Sequence, residues 1–123
     1  MELHIDLSWL LEVAQRAGQS DPAPEDLGVP VSAVARHQAE LLDTPVYGGP
    51  YARAAALAHT LGRCRWLERS NLTVACAAAT MYLAASGINV NPDKQHLRAL
   101  AEELYNPRST ASRIVELLRS WPT

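Results

Sequence analysis

From Ser70 to Pro92 the chain reads SNLTVACAAATMYLAASGINVNP, without one charged side chain. A run this long must either be shielded from water by the rest of the protein or sit in lipid, and its interruptions decide which. Ser70, Asn71, Thr73, Thr80, Ser86, Gly87 and Asn89 break the apolar character. That suits a buried helix followed by a turn and not a membrane span. The stretch 70–86 is apolar on every face, the mark of a central helix surrounded by others. Gly87 ends it, and Ile88-Asn89-Val90 suits a short extended piece.

The remaining periodicity is helical, with almost no strand. Asp6 can cap a helix over about 7–17, with Leu7, Leu10, Leu11 and Ala14 at helical spacing and Gly18 as its stop. QSDPAPEDLGVP is a turn-rich loop, because its three prolines forbid a continuous helix. A second helix over about 31–42 would bury Val31, Val34, Ala35 and Leu41, and would leave Arg36, His37 and Gln38 near one another. DTPVYGGP is another loop, whose Gly48-Gly49 pair suits unusual backbone angles. Pro50 can open a third helix at its first position, running to about Cys64 with Ala54, Leu57, Ala58 and Leu61 inward. Asn91-Pro92 and Asn106-Pro107 repeat the cap-plus-proline start, giving helices over about 92–105 and on to about Ser120. The expected fold is all-α: one domain over 1–123, a compact bundle of about six helices around the central apolar helix 70–86.

Composition narrows the function. A chain of 123 residues, 48% apolar and 20% charged, suits a single packed core and argues against disorder. A net charge of −2 gives no overall basic excess, so direct nucleic-acid binding is not expected. MELHIDLSWLLEV carries acids where a signal peptide needs a basic region, so the expected location is cytoplasmic. Cys64 and Cys76 have no metal spacing and are expected to be free and reduced. His4, His37 and His96 are scattered, and no metal is assigned to them.

The neutral helix is preceded by RCRWLERSNLT at 63–73, where Arg63, Arg65 and Arg69 crowd against its start. The first N–H groups of a helix are unpaired and lie at the positive end of its dipole, so such a mouth favours an anion. The plainer reading is that the three arginines are solvated loop charges, with Ser70 as an ordinary helix cap.

YARAAALAHTLGRCRWLERSNLTVACAAATMYLAASGINV resembles the heart of the Fic/Doc family. Members read as an alanine-rich helix with an internal His, then HxFx(D/N)GNKR, then an apolar helix ending in NG. Leu57, His59, Leu61 and Arg63 fit the first helix, and Asn71 falls on the motif asparagine. Tyr82, Leu83, Gly87 and Ile88 fit the apolar helix and the turn at its end. Arg36 and Gln38 resemble an R-P-Q element of the Doc branch. The similarity covers nearly the whole chain and rests on pattern and spacing.

The motif itself departs. Arg65 stands where the family has its catalytic His, Leu67 replaces Phe, Arg69 replaces the acidic or amide residue, Ser70 replaces Gly, and Leu72-Thr73 replace Lys-Arg. Arginine is effectively never deprotonated and cannot serve as a general base. Arg69 would repel a cation, and Leu72 and Thr73 cannot clamp phosphate. Standard phosphoryl or AMP transfer is expected to be lost or altered, no residue is assigned as catalytic, and whether the chain is an enzyme is left open. An anion site at Arg63, Arg65, Arg69, Ser70 and Asn71 could still hold ATP or another phosphate ligand.

Other residues have two readings each. His59 suits a hydrogen-bonded structural role better than a ligand or base. Glu68 suits an ion pair with Arg65 or Arg69. Trp66 could anchor a partner or be buried against the central helix. Tyr47 and Tyr51, around the glycine-proline loop, could contact a partner as a flap over a groove or cover the core.

The resemblance implies a cytoplasmic toxin component of a bacterial toxin–antitoxin pair, a cognate antitoxin that covers its cleft, and a translation elongation factor as target. The alternative is a non-catalytic pseudoenzyme that binds a protein or a nucleotide. Chemistry relocated to Arg65, Arg69 and Ser70 ranks last, because some other group would have to activate the nucleophile.

Overall fold

The computed structural model describes residues 3–123; Met1 and Glu2, the start of the segment read for a signal peptide, lie outside the described residues. Six helices and one small hairpin run in the order α1 (Leu7–Ala17), α2 (Gly28–His37), β1 (Glu40–Leu41), β2 (Thr44–Pro45), α3 (Pro50–Arg63), α4 (Asn71–Ala85), α5 (Lys94–Tyr105) and α6 (Ala111–Ser120). Among the described residues no helix is long and apolar enough to cross a membrane.

Local chemistry sets most helix starts. The Asp6 side chain accepts the Trp9 N–H and caps α1. Pro50 occupies the first turn of α3 behind Gly49, whose φ of 87° suits a residue without a Cβ. Gly18 ends α1 for a different reason. A Cβ there would lie 2.4 Å from Cγ of Pro22, so the chain folds back on itself too closely for any side chain.

Three elements differ from the expectations. α2 begins at Gly28, with Pro30 in its first turn, where a missing N–H costs nothing. This earlier start makes Pro30, Ala33 and His37 the buried stripe, while Val31 is 52% exposed and Leu41 69% exposed. Leu41 lies in the hairpin, whose turn residues Leu42 and Asp43 both have positive φ. α5 begins after Pro92, because Asp93 and His96 form a reciprocal capping box. α6 begins at Ala111, capped by Thr110. Asn106 caps the end of α5 and accepts the Arg108 N–H, so it makes a turn and not a helix start.

The core is one continuous cluster drawn from all six helices. The sequence placed 70–86 at its centre. The structure gives that place to α3, which packs on α2, α4, α5 and α6, with α4 as its most extensive partner. The alanines explain it: Ala54, Ala55, Ala56 and Ala58 are fully buried beside Leu57 and Leu61, so neighbours approach α3 from several sides. Helix α4 buries Val74, Ala75, Cys76, Ala78, Ala79, Tyr82 and Leu83, but leaves part of its surface open.

Candidate functional site

Residues 64–70 connect α3 to α4, and the 19–26 segment is strung along them. Backbone bonds join Glu25 N–H to the Trp66 carbonyl at 2.6 Å and Glu68 N–H to the Ala23 carbonyl at 3.0 Å. Side chains continue the lacing. Glu68 Oε1 accepts the Ala23 N–H at 2.9 Å, and the Ser70 hydroxyl accepts the Gln19 N–H at 3.1 Å. Ser70 itself takes a left-handed conformation (φ 67°) and makes no side-chain cap on α4. Its hydroxyl is turned to the loop instead.

Arg65 and Arg69 stay exposed and reach along the surface to the chain's own carbonyls. Arg69 donates to the carbonyls of Gln19 and Ser20 at 3.0 and 3.2 Å and pairs with Glu68 at 3.0 Å. Arg65 donates to the Glu68 carbonyl at 3.0 Å and reaches Glu25 at 3.3 Å. Arg63 does not join them. It donates to the carbonyls of Leu104 and Tyr105 at 3.0 and 2.9 Å, the end of α5, where a cation also complements the helix dipole. Glu68 therefore pairs with Arg69, and the partner of Arg65 is Glu25, forty residues away.

Asn71 completes the lacing. Its Oδ1 accepts the N–H groups of Trp66 and Leu67, both at 3.0 Å, and its Nδ2 donates to the Leu67 carbonyl at 3.0 Å. One amide side chain thus satisfies three backbone groups of the loop ahead of it.

Of the partner-contact residues, Trp66 is corrected: it is fully buried. It packs into the core with its neighbour Leu67, while Cys64, Arg65 and Arg69 of the same connection are exposed. Tyr47 and Tyr51 are half-buried and held by different cations. Arg36 Nε donates to the Tyr47 hydroxyl at 2.8 Å, and Arg119 lies 5.1 Å from the Tyr51 ring centre.

Arg36 also organises a second polar cluster. It reaches His59 Nδ1 at 2.6 Å and the Thr60 hydroxyl at 3.2 Å, while His59 Nε2 faces the Ser109 carbonyl at 3.1 Å. A carbonyl can only accept and a guanidinium can only donate. His59 is therefore neutral, protonated on Nε2, with its one lone pair taken by Arg36. Burial first and the Arg36 charge second hold its pKa below the ordinary value. A base in this state has no free lone pair for a substrate. Sequence reading grouped Arg36 with His37 and Gln38 and missed this cluster, because Thr60 and Ser109 lie 24 and 50 residues from their partners.

A concavity lies elsewhere, between α4 and α5. A cavity of about 670 Å³ is walled by Leu72, Ala77 and Met81 on one helix and Leu97 and Ala101 on the other. Cys76 is in its floor, where burial pushes the thiol pKa up to about 11. Both cysteines are free. Among the described residues no group of His, Cys, Asp and Glu side chains could hold a metal ion.

Compared with protein-family models, with curated proteins and with solved structures, the chain matches none.

Proposed function

We propose that this chain is a Doc-like component of a bacterial toxin–antitoxin pair, working in the cytoplasm, and that it acts by binding a protein partner and not by group transfer. The Doc-like part is supported by the sequence pattern over 51–90 and by the helical order around it. The binding part is carried by one observation. The residues that replace the transfer motif bond the chain's own backbone: Arg65 and Arg69 hold the carbonyls of Glu68, Gln19 and Ser20, and Asn71 holds Trp66 and Leu67. The one histidine nearby in the sequence pattern, His59, has its lone pair engaged by Arg36. The residues that replace the motif at the mouth of α4 thus supply neither its histidine base nor its phosphate clamp.

The partner is then a cognate antitoxin-type protein. Neither ATP nor a translation factor is required as a substrate. Inducible expression in a bacterial host tests this reading. Wild type and the Arg65→Ala/Arg69→Ala double variant, matched for soluble protein, are expected to give the same growth curve. Arrest by wild type that the double variant abolishes would show that the arginine segment carries an activity, and would overturn the reading.

A further inference from the structure

We infer that the groove between α4 and α5 is the docking site for an amphipathic helix of a partner protein, one that presents two acidic side chains a helical turn apart. The inference rests on the binding reading above and names where the partner sits and what its chemistry is.

The groove has the dimensions for a helix. The cavity of about 670 Å³ shares Leu72, Arg98 and Ala101 with a second one of about 430 Å³, so the two form one trough beside α5. The trough extends to Tyr105 and Pro107. Helix α5 has 12 residues, so the trough runs beside it for about 18 Å, at 1.5 Å per residue. That is three turns of a partner helix, and longer than a compact small molecule fills. Thr73, Ala77 and Ala101 are small, which lets a helix backbone come close. Leu72, Leu97 and Met81 are partly buried and stand ready for apolar contact, and Tyr105, 76% exposed, offers an aromatic anchor at the far end.

Charge selects the occupant. Lys94 and Arg98 line the larger cavity, which has no acidic lining residue, and Arg98 also lines the smaller one, whose single acid is Glu102 at the Tyr105 end. Lys94 and Arg98 are four residues apart on α5, so their side chains are neighbours on one face of the helix. Neither makes an ion pair or a side-chain hydrogen bond among the described residues. Lys94 is also the first residue of its helix, where the positive end of the dipole disfavours a cation. Its place is adverse for the fold and fitting for an incoming carboxylate. A helix laid along the trough with apolar residues at i, i+3, i+4 and i+7 and carboxylates at i and i+4 on one flank would satisfy both the walls and the rim.

Selection from a displayed library of helical peptides about four turns long, against the full chain, tests this. The expected result is enrichment of acidic amphipathic sequences. Their binding should fall at least tenfold on Lys94→Glu/Arg98→Glu, which changes exposed side chains only, and on Ala77→Trp, which fills the trough, with melting temperatures of the variants reported alongside. No enrichment, enrichment of neutral or basic peptides, or binding that survives the charge-reversal variant would overturn the inference. So would self-association by light scattering that the same variants abolish, since the trough would then hold a second copy of this chain. These outcomes are separate from the growth test. A trough that selects nothing leaves the non-catalytic reading standing, and an activity at the arginine segment leaves the trough result readable.

Discussion

Arg36 donates to Nδ1 of His59 across 2.6 Å, from a helix 23 residues earlier in the chain. The contact fixes the imidazole as neutral and protonated on Nε2, facing the Ser109 carbonyl. Nitrogen-detected NMR of the His59 ring is expected to show this single tautomer at pH 7. In Arg36→Ala, loss of the neighbouring charge should move the His59 pKa upward. An unchanged pKa would mean that the two groups do not touch.

His37 behaves in the same direction. Its Nδ1 donates to the Val34 carbonyl at 2.6 Å and its Nε2 accepts the Ile5 N–H at 3.3 Å, so both nitrogens are used by the neutral ring. Burial, the largest cause, lowers its pKa below 6.5. The unfolded chain takes up a proton on each of the two histidines near pH 6.5, and the folded chain resists until lower pH. Stability is therefore full above about 6.5 and declines as pH falls toward the depressed folded values. Melting temperatures measured from pH 7.5 down to 5 should drop, and in a His37→Phe/His59→Gln variant the slope should flatten.

Asn71→Ala removes three hydrogen bonds and strands the N–H groups of Trp66 and Leu67. At about 1 kcal/mol for a hydrogen bond, with two of the groups left buried or half-buried, the expected loss is about 2–3 kcal/mol. Urea unfolding measures it. A loss below about 0.5 kcal/mol, the usual bound for an ordinary surface change, would remove Asn71 from the lacing.

Trp66→Ala is expected to cost about 3–5 kcal/mol, the range for emptying a fully buried large aromatic site. Trp66→Phe should cost less, because the indole N–H is buried without a hydrogen-bond partner and its removal breaks no bond. Near-neutral effects of both would place this side chain at the surface.

Gly18→Ala drives a Cβ into Pro22, which is itself buried. The turn must open, and the 19–26 segment that holds Arg69, Glu68 and Ser70 begins there. An expected loss of about 1–3 kcal/mol should come with faster proteolysis of that segment. Wild-type resistance to protease in the variant would show that the turn tolerates a side chain.

Distance along the chain separates the features legible in the sequence from those hidden in it. The starts of α1 and α3 were legible because Asp6 and Pro50 act on their own helices. The face of α2 was not, since Pro30 in the first turn shifted the start by three residues and with it the buried stripe. Two-residue strands carry no alternation, so the hairpin at Glu40–Leu41 and Thr44–Pro45 left no signal. The arginine cluster was visible, but not its use: Arg65 meets Glu25 and Arg69 meets Gln19, forty and fifty residues back. The groove was hidden for a related reason. A helix apolar on every face, like α4, does not say which face its neighbours leave open.

Transfer of label from ATP tests the central claim most directly. The purified chain is incubated with a bacterial extract and ATP labelled at the α or the γ phosphate, and labelled proteins are resolved on a gel. The expected result is no band that depends on the chain. A chain-dependent band would contradict it; loss of that band in Arg65→Ala/Arg69→Ala would return catalysis to the mouth of α4, and loss in His59→Ala would place it at the Arg36–His59 cluster.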